Sequence, residues 1–208
     1  MVRAVPIVSE WEEVGDLPRL VPPVLPKGVL SECVQPVVDA GFGVRLRPWS
    51  IADAALLVEV YADAGIQRWH CKALADIDEA ATMVQGWHRE WMMDSSAHWA
   101  IITGDDTVVG RVALRKIDLI DGAAELGYWA VPCWRGNGFV PIAVAGVTRW
   151  AFGRGFQRLS LEHSVANPAS CRVAEKAGYR CEGTLAAAAR HLDGQHDMHL
   201  HAMTAADL

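Results

Sequence analysis

Residues 131–140, Val-Pro-Cys-Trp-Arg-Gly-Asn-Gly-Phe-Val, join an alternating strand to a helix through a turn that contains two glycines. Such a turn leaves the first helical N–H groups without intrahelical partners, and their partial positive charge favours an anion such as a phosphate. Gly136 and Gly138 carry no Cβ to hold an anion away from those amides, and Pro141 sits in the first helical turn, where its missing N–H costs nothing. The turn therefore predicts a phosphate cradle. Spacing excludes two familiar versions of it. A Walker loop needs a lysine after its second glycine and none follows here, while a dinucleotide fingerprint needs a third Gly or Ala where Pro141 stands.

A second group of candidate residues follows. Arg158–His163 alternates as a strand does, Asn167 and Pro168 supply an N-cap and a first helical residue, and Gly178 ends that helix as a left-handed cap. Glu125 lies on the strand that feeds the phosphate turn and shares a face with Gly127 and Trp129. It is a candidate base, or else a solvated strand carboxylate or the ion-pair partner of Arg111 or Arg135. Histidine side chains in general titrate in a useful range, and His191 is a second candidate base, with a purely structural role as the alternative. His199 and His201 share a strand face near His196 and Asp197, but their spacing matches no standard site and no metal is expected. Trp69, Trp87, Trp91 and Trp134 are either pocket wall or packing.

Arg135-Gly-Asn-Gly-Phe-Val140 resembles the pyrophosphate loop of the GNAT superfamily of acyl-CoA N-acyltransferases, (Gln/Arg)-x-x-Gly-x-(Gly/Ala), at Arg135 and Gly138, and departs from it at Val140. The stretch from Asn167 through Ser170, Glu175-Lys176-Ala-Gly178-Tyr179 and Glu182-Gly183 is similar to a second segment of that family. The tail from Asp193 onward is similar to the RimJ/RimL-like branch, which acetylates protein N-terminal amines and relatives of them. The resemblance runs from about Val44 to the C-terminus.

It implies an α/β fold with a mixed, mostly antiparallel sheet flanked by helices and splayed at the acyl-CoA site. The main chain of Trp129, Ala130 and Val131 would pair with pantetheine like an added strand, and Arg135, Gly136, Asn137, Gly138, Phe139 and Val140 would hold the pyrophosphate. Asn167 would donate to the pantetheine arm, keeping its oxygen for the cap. Ser170 would protonate the departing thiolate, a role strengthened by Ala174 standing where many relatives carry a tyrosine acid. Glu125 or His191 would order the amine or its water, since Ala189–Leu192 lacks the glutamate the branch can place there. The implied activity is transfer of an acetyl group from acetyl-CoA to a primary amine, a protein N-terminus or a small molecule, by direct attack in a ternary complex. Another acyl donor in a biosynthetic pathway, or a noncatalytic CoA-binding module, are the alternatives. An α-amine with a pKa of about 7.7–8.0 is substantially neutral near pH 7.4, whereas a lysine with a pKa of about 10.4 is not, so a lysine acceptor has the greater need of a base.

The elements that must position these residues are legible in outline. Val44–Pro48 alternates as a strand, and Ser50-Ile-Ala-Asp53 is a capping box that opens a helix to about Asp63. A second helix starts near Asp76 and carries Ile77, Ala80, Val84, Trp87 and Trp91 as an apolar stripe. Strands follow at about 98–103 and 107–116 around a Gly104-Asp-Asp turn, giving the order β-α-α-β-β-β-α-β-α-β. Six of the ten prolines fall within residues 1–43, which reads as an N-terminal arm ahead of a domain over residues 44–208. The arm is either a partly ordered leader or a segment that packs on the body or on a second subunit, with Trp11, Leu20, Val21, Val24 and Leu25 as its apolar residues. A homodimer is compatible with the second reading.

With 208 residues, 51% hydrophobic and 21% charged, the chain has the composition of a globular protein with a full core. A net charge of −6 argues against a nucleic-acid groove and favours cationic or amine substrates. Five cysteines without Cys-x-x-Cys spacing indicate neither a disulfide framework nor a zinc ribbon. The first residues lack a signal-like apolar run, and the longest such run, Phe139–Val147, is too short to span a bilayer, so a cytoplasmic protein with no membrane association is expected.

Overall fold

A computed structural model describes residues 20–208, and Trp11, Pro6 and Pro18 lie outside the described residues. Among the described residues, one sheet of eight strands organises the fold, in the order β1-β2-β3-β4-β5-β6-β8-β7. The strands are β1 (Val38–Gly41), β2 (Val44–Pro48), β3 (Ala97–Ile102), β4 (Val108–Asp118), β5 (Ala123–Ala130), β6 (Arg158–Ser164), β7 (Arg180–His191) and β8 (Gly194–Thr204). Among the described residues, neighbouring strands are antiparallel except β5 and β6. The helices are α1 (Ala54–Tyr61), α2 (Ala64–His70), α3 (Ile77–Met92), α4 (Phe139–Gly153) and α5 (Pro168–Lys176). This is the mixed, mostly antiparallel sheet between helices that the sequence implies.

Strand alternation divides the core into two. Every residue of β3 is buried, so Trp99 and Ile101 can join the core that contains Val144 and Val147 of α4, while Ala100 and Ile102 join Leu57, Val84 and Trp87 of α1 and α3 on the other face. The stripe predicted for α3 is buried at Ala80, Val84, Trp87 and Trp91, but Ile77 in its first turn stays exposed. Three helices rather than two separate β2 from β3. The unforeseen one, α2, is short, capped at its start by Asp63 accepting from the N–H of Ile66, and it ends where Cys71 turns left-handed.

The described part of the proline-rich segment is joined to the body. Leu25 and Leu30 are fully buried, and the N–H groups of Val24 and Leu25 donate to the carbonyls of Ile120 and Leu119. Strand β1 lies inside this segment and approaches α4 so closely that a Cβ on Gly146 would stand 2.6 Å from that of Ala40. Leu20 and Val21 are exposed. At the C-terminal end, the chain forms two strands where the expected order has one, because it reverses at Leu192-Asp193 and β8 inserts between β6 and β7.

Buried Asp94 anchors the segment. Its carboxylate accepts from the N–H groups of Gly28 at 2.6 Å, Leu30 at 2.8 Å and Ser31 at 2.9 Å. Asp94→Ala leaves those donors without a charged acceptor and is expected to lower stability by roughly 3 kcal/mol, read as a shift of the urea unfolding midpoint.

Candidate active site

Strands β5 and β6 run parallel and pair only from Ala123–Arg158 to Leu126–Leu161. Beyond that pair they part. The far edge of β5 remains in the sheet, where Gly127 to Ala130 pair with Ala113 to Gly110 of β4, so the edge that faces β6 is left open along Gly127–Ala130. A cleft of about 860 Å³ occupies the gap, and Trp129, Ala130, Arg135, Gly136, Gly138, Phe139, Val140, Asn167 and Ser170 are among the residues that line it.

The turn after β5 closes one end of the cleft. One turn of 3-10 helix, Pro132–Trp134, leads to Arg135, and Gly136 and Gly138 then adopt left-handed φ values of 84° and 82°. A side chain there would be strained, which is why the sequence places glycine at both. Gly138 caps α4, which begins at Phe139 and so keeps Pro141 in its first turn. Among the described residues, the N–H groups of Gly136, Asn137, Gly138, Phe139 and Val140 meet no protein acceptor. Asn137 turns its side chain back onto the carbonyl of Trp134 at 3.2 Å, and the Arg135 guanidinium pairs with Asp63 at 2.5 Å. Arg135 thus braces the loop against α2 and holds the Asp63 carboxyl below its ordinary range, mainly by donating to it.

The opposite wall is the first turn of α5. Asn167 caps it by accepting from the N–H of Ser170 at 3.2 Å, as the sequence predicts, which keeps the amide nitrogen for a ligand. Ser170 receives a partner that sequence reasoning did not provide. The Tyr128 hydroxyl shares its single hydrogen between Ser170 Oγ at 3.1 Å and the Ser170 carbonyl at 3.2 Å. Burial pushes the Tyr128 phenol up to about 12, so it remains a donor, and the proton of Ser170 is left free to point forward.

Two sequence candidates for a base receive different surroundings. Glu125 is buried, and its oxygens are taken by Arg115 and by Lys116, the latter at 2.6 Å, instead of by Arg111 or Arg135. The reason is register: Arg115 stands directly opposite Glu125 on β4. His191 lies on the cleft wall at the end of β7, with Nδ1 3.3 Å from the Arg68 carbonyl and Nε2 buried without a partner among the described residues. Glu162, which the sequence reading passed over, also lines the cleft, one residue past the last β5–β6 pair, and no cation engages it among the described residues. Its place next to the parting of the strands was readable only once the register was known.

The remaining wall is cationic. Lys72, Arg111, Arg115 and Lys116 line it with His70 and His98. Arg111 is buried over the Trp87 ring at 4.9 Å and directs Nη2 to His98 Nδ1 at 2.5 Å. A guanidinium can only donate, so Nδ1 accepts and His98 Nε2–H donates to Glu90 at 2.6 Å, which links Arg111 to its counter-charge through a neutral imidazole. Burial, then the positive Arg111, pulls both His98 and His70 down to about 4.

The family description that matches residues 44–180 is the acetyltransferase (GNAT) domain. The ribosomal-protein-serine acetyltransferase of Escherichia coli (strain K12) is 29% identical over 103 residues, which are 49% of this chain and 58% of that protein. The chain thus spans little more than half the length of the curated relatives that match it over 103 residues. Among solved structures, a RimL ribosomal L7/L12 alpha-N-protein acetyltransferase in complex with coenzyme A superimposes with a TM-score of 0.74 at 20% identity, covering 81% of this chain and 98% of that one. Mycobacterium smegmatis RimJ in complex with CoA-disulfide gives 0.73 at 24% identity, covering 83% and 87%.

The two depressed histidines set a pH dependence. Between their unfolded value near 6.5 and about 4, the folded chain binds fewer protons than the unfolded one, so stability falls as pH is lowered through that window. His98 alone is expected to contribute up to about 1.4 kcal/mol per pH unit. Urea melts of the wild type and His98→Gln from pH 7 to pH 4.5 check this, the variant showing the shallower decline.

Proposed function

Because the chain belongs to the GNAT acetyltransferase family, we propose that it transfers an acetyl group from acetyl-CoA to the primary amine of an acceptor that carries negative charge close to that amine. The observation that carries the reading is the coincidence of an open β5 edge with five backbone N–H groups that lack acceptors among the described residues, at one end of one cleft. The N–H groups of residues 136–140 fit a diphosphate, and the edge of β5 at Trp129 and Ala130 fits an extended amide-bearing arm, with Asn167 beside it. Val131, which the resemblance adds to that edge, has both main-chain groups engaged, its N–H by the Val109 carbonyl and its carbonyl by the N–H of Trp134. Acetyl-CoA, when bound there, supplies an activated acyl carbon and a thiol leaving group.

The chain's own residues then divide the proton work. Ser170 holds its hydrogen toward the cleft because Tyr128 occupies its oxygen, and so Ser170 Oγ–H serves the departing sulfur. The dipole of α5 lowers the cost of negative charge at that point. Glu162 is the carboxylate free to take a proton from the amine, and His191 Nε2 is a second acceptor on the same wall. Glu125 has both oxygens in ion pairs, and its role in this reading is to hold Arg115 and Lys116 in place. Those cations, with Lys72 and Arg111, make the acceptor wall positive although the whole chain carries −6, which favours an acceptor with a carboxylate or an acidic peptide next to its amine. The amine in this reading is an α-amine, neutral at working pH without a strong base. A protein N-terminus and a small amino acid-like amine both satisfy these terms, and the reading places the enzyme in the cytoplasm, where acetyl-CoA is made.

Calorimetry with acetyl-CoA and release of free thiol with a panel of acidic and basic amino-terminal peptides and small amines test the proposal. We expect uptake of one acetyl-CoA, loss of most of that affinity in Gly138→Val, and faster turnover on acidic than on basic acceptors. Ser170→Ala and Glu162→Gln should each lower kcat by about a hundredfold while acetyl-CoA affinity holds. Absence of any CoA uptake sinks the reading. Uptake without turnover on any amine turns it into that of a CoA-binding module, and turnover only with a longer acyl group replaces the donor.

A further inference from the structure

Next to Ser170 lies a cluster to which the proposed acetyl transfer gives no role, although one member, His163, also lines the cleft. In the β6–β8 pairing His163 stands opposite His199 and Leu161 opposite His201, so alternation puts the three imidazoles on one face of the sheet. Cys171, in the first turn of α5, meets them. One ligand atom from each of His163, Cys171, His199 and His201 lies within 4.8 Å of the other three.

Hydrogen bonding fixes the state of two of these rings. His163 Nδ1 is 2.9 Å from the Ser164 carbonyl and His201 Nδ1 is 3.4 Å from that of Tyr179. A carbonyl oxygen only accepts, so each Nδ1 carries the hydrogen and each Nε2 keeps its lone pair. Yet the two Nε2 atoms are 3.2 Å apart in a buried site. Two lone pairs facing each other at that distance repel, and a cation between them removes the conflict. His199 Nδ1 is also buried, with no partner among the described residues. A separation of 3.2 Å is close to the roughly 3.3 Å between nitrogens bound tetrahedrally to zinc at about 2.0–2.1 Å. Metal-bound histidines also hold their second N–H against a carbonyl or carboxylate, as His163 and His201 do.

We propose that His163, Cys171, His199 and His201 form a four-coordinate site for a zinc ion. Three imidazoles and one thiol are a donor set that suits Zn²⁺ above Mg²⁺ or Ca²⁺, and four protein ligands leave no open position, so the site is structural. The three rings bind neutral, through lone pairs. The Cys171 thiol, which now reaches the Glu175 carboxylate at 3.6 Å, gives its proton to solvent as the Zn–S bond forms, and nothing is oxidised or reduced. The ion would clamp the first turn of α5 to the sheet, one residue from Ser170.

The test uses the full chain without a histidine tag, stripped with chelator and titrated with Co²⁺ or Zn²⁺ alone. One Co²⁺ per chain should bind, with the intense visible absorption of a tetrahedral centre and a near-ultraviolet thiolate band, both bleached by one equivalent of Zn²⁺. Cys171→Ser should abolish the thiolate band, and both it and His199→Gln should weaken Zn²⁺ binding by more than the roughly 10–100-fold that loss of an outer hydrogen bond costs. These readouts do not depend on acetyl transfer. A chain that is folded by circular dichroism and takes up no Co²⁺, or two folded variants that retain full uptake, overturns the site. So does an imidazole nitrogen spectrum that keeps a proton shared between His163 and His201 with Zn²⁺ present.

Discussion

The parting of β5 from β6 beyond Leu126 and Leu161 is the constraint on which the rest of the molecule depends. A sheet gains by pairing every main-chain group, and an open edge inside it, between two strands, leaves donors and acceptors that must find water or a ligand. The parting persists because the chain is held elsewhere. β4 pairs with β5 through to Ala130, β8 pairs with β6 through to Ser164, and neither strand can swing toward the other without breaking those ladders. The gap is therefore a product of the two outer pairings, and the helices that follow β5 and β6 each present an N-terminus to it.

The same geometry decides the electrostatics. A net charge of −6 describes the surface as a whole, while the cleft wall concentrates Lys72, Arg111, Arg115 and Lys116. Burying Arg111 without a carboxylate in direct contact would be costly, and the neutral His98 between Arg111 and Glu90 supplies a hydrogen-bonded route to the counter-charge. Glu125 plays the corresponding part for Arg115 and Lys116. Composition could suggest the sign of the average field, but the local sign depends on which charges the sheet register brings together.

How much was legible follows the range of each interaction. The phosphate turn, the Asn167 cap, the strand before it and the stripe of α3 are local patterns, and they appear in the structure within a residue or so of where the sequence places them. Strand β1 was hidden because Val38–Gly41 sits among prolines and glycines, and its position is secured by Gly146, far along the chain. Tyr128 reads as one more strand aromatic until α5 is laid across it. His199 and His201 were visible as a pair, with His196 and Asp197 as their nearest companions in sequence, but the β6–β8 register selects His163, and the fold of α5 selects Cys171. Long-range register is what a single sequence withholds.

One buried contact joins the two walls of the cleft. Thr148 Oγ1, in the middle of α4, is 2.6 Å from the Tyr179 hydroxyl just past the end of α5, and Thr148 also bonds back to the carbonyl of Val144. Burial pushes the Tyr179 phenol well above its usual value, so Tyr179 keeps its proton and the contact persists across the working range of pH. Two helices whose N-termini face a common gap would repel through their dipoles if nothing fixed their spacing, and this bond, with the packing of Ala174 and Val144 in the same core, fixes it. The spacing suits a ligand with negative charge at two points. In the proposed reaction the N-terminus of α4 would meet a permanent anion, and that of α5 charge that develops only as a bond breaks. A site of this kind favours the reacting state over the resting one without moving, since the dipoles are set when the chain folds.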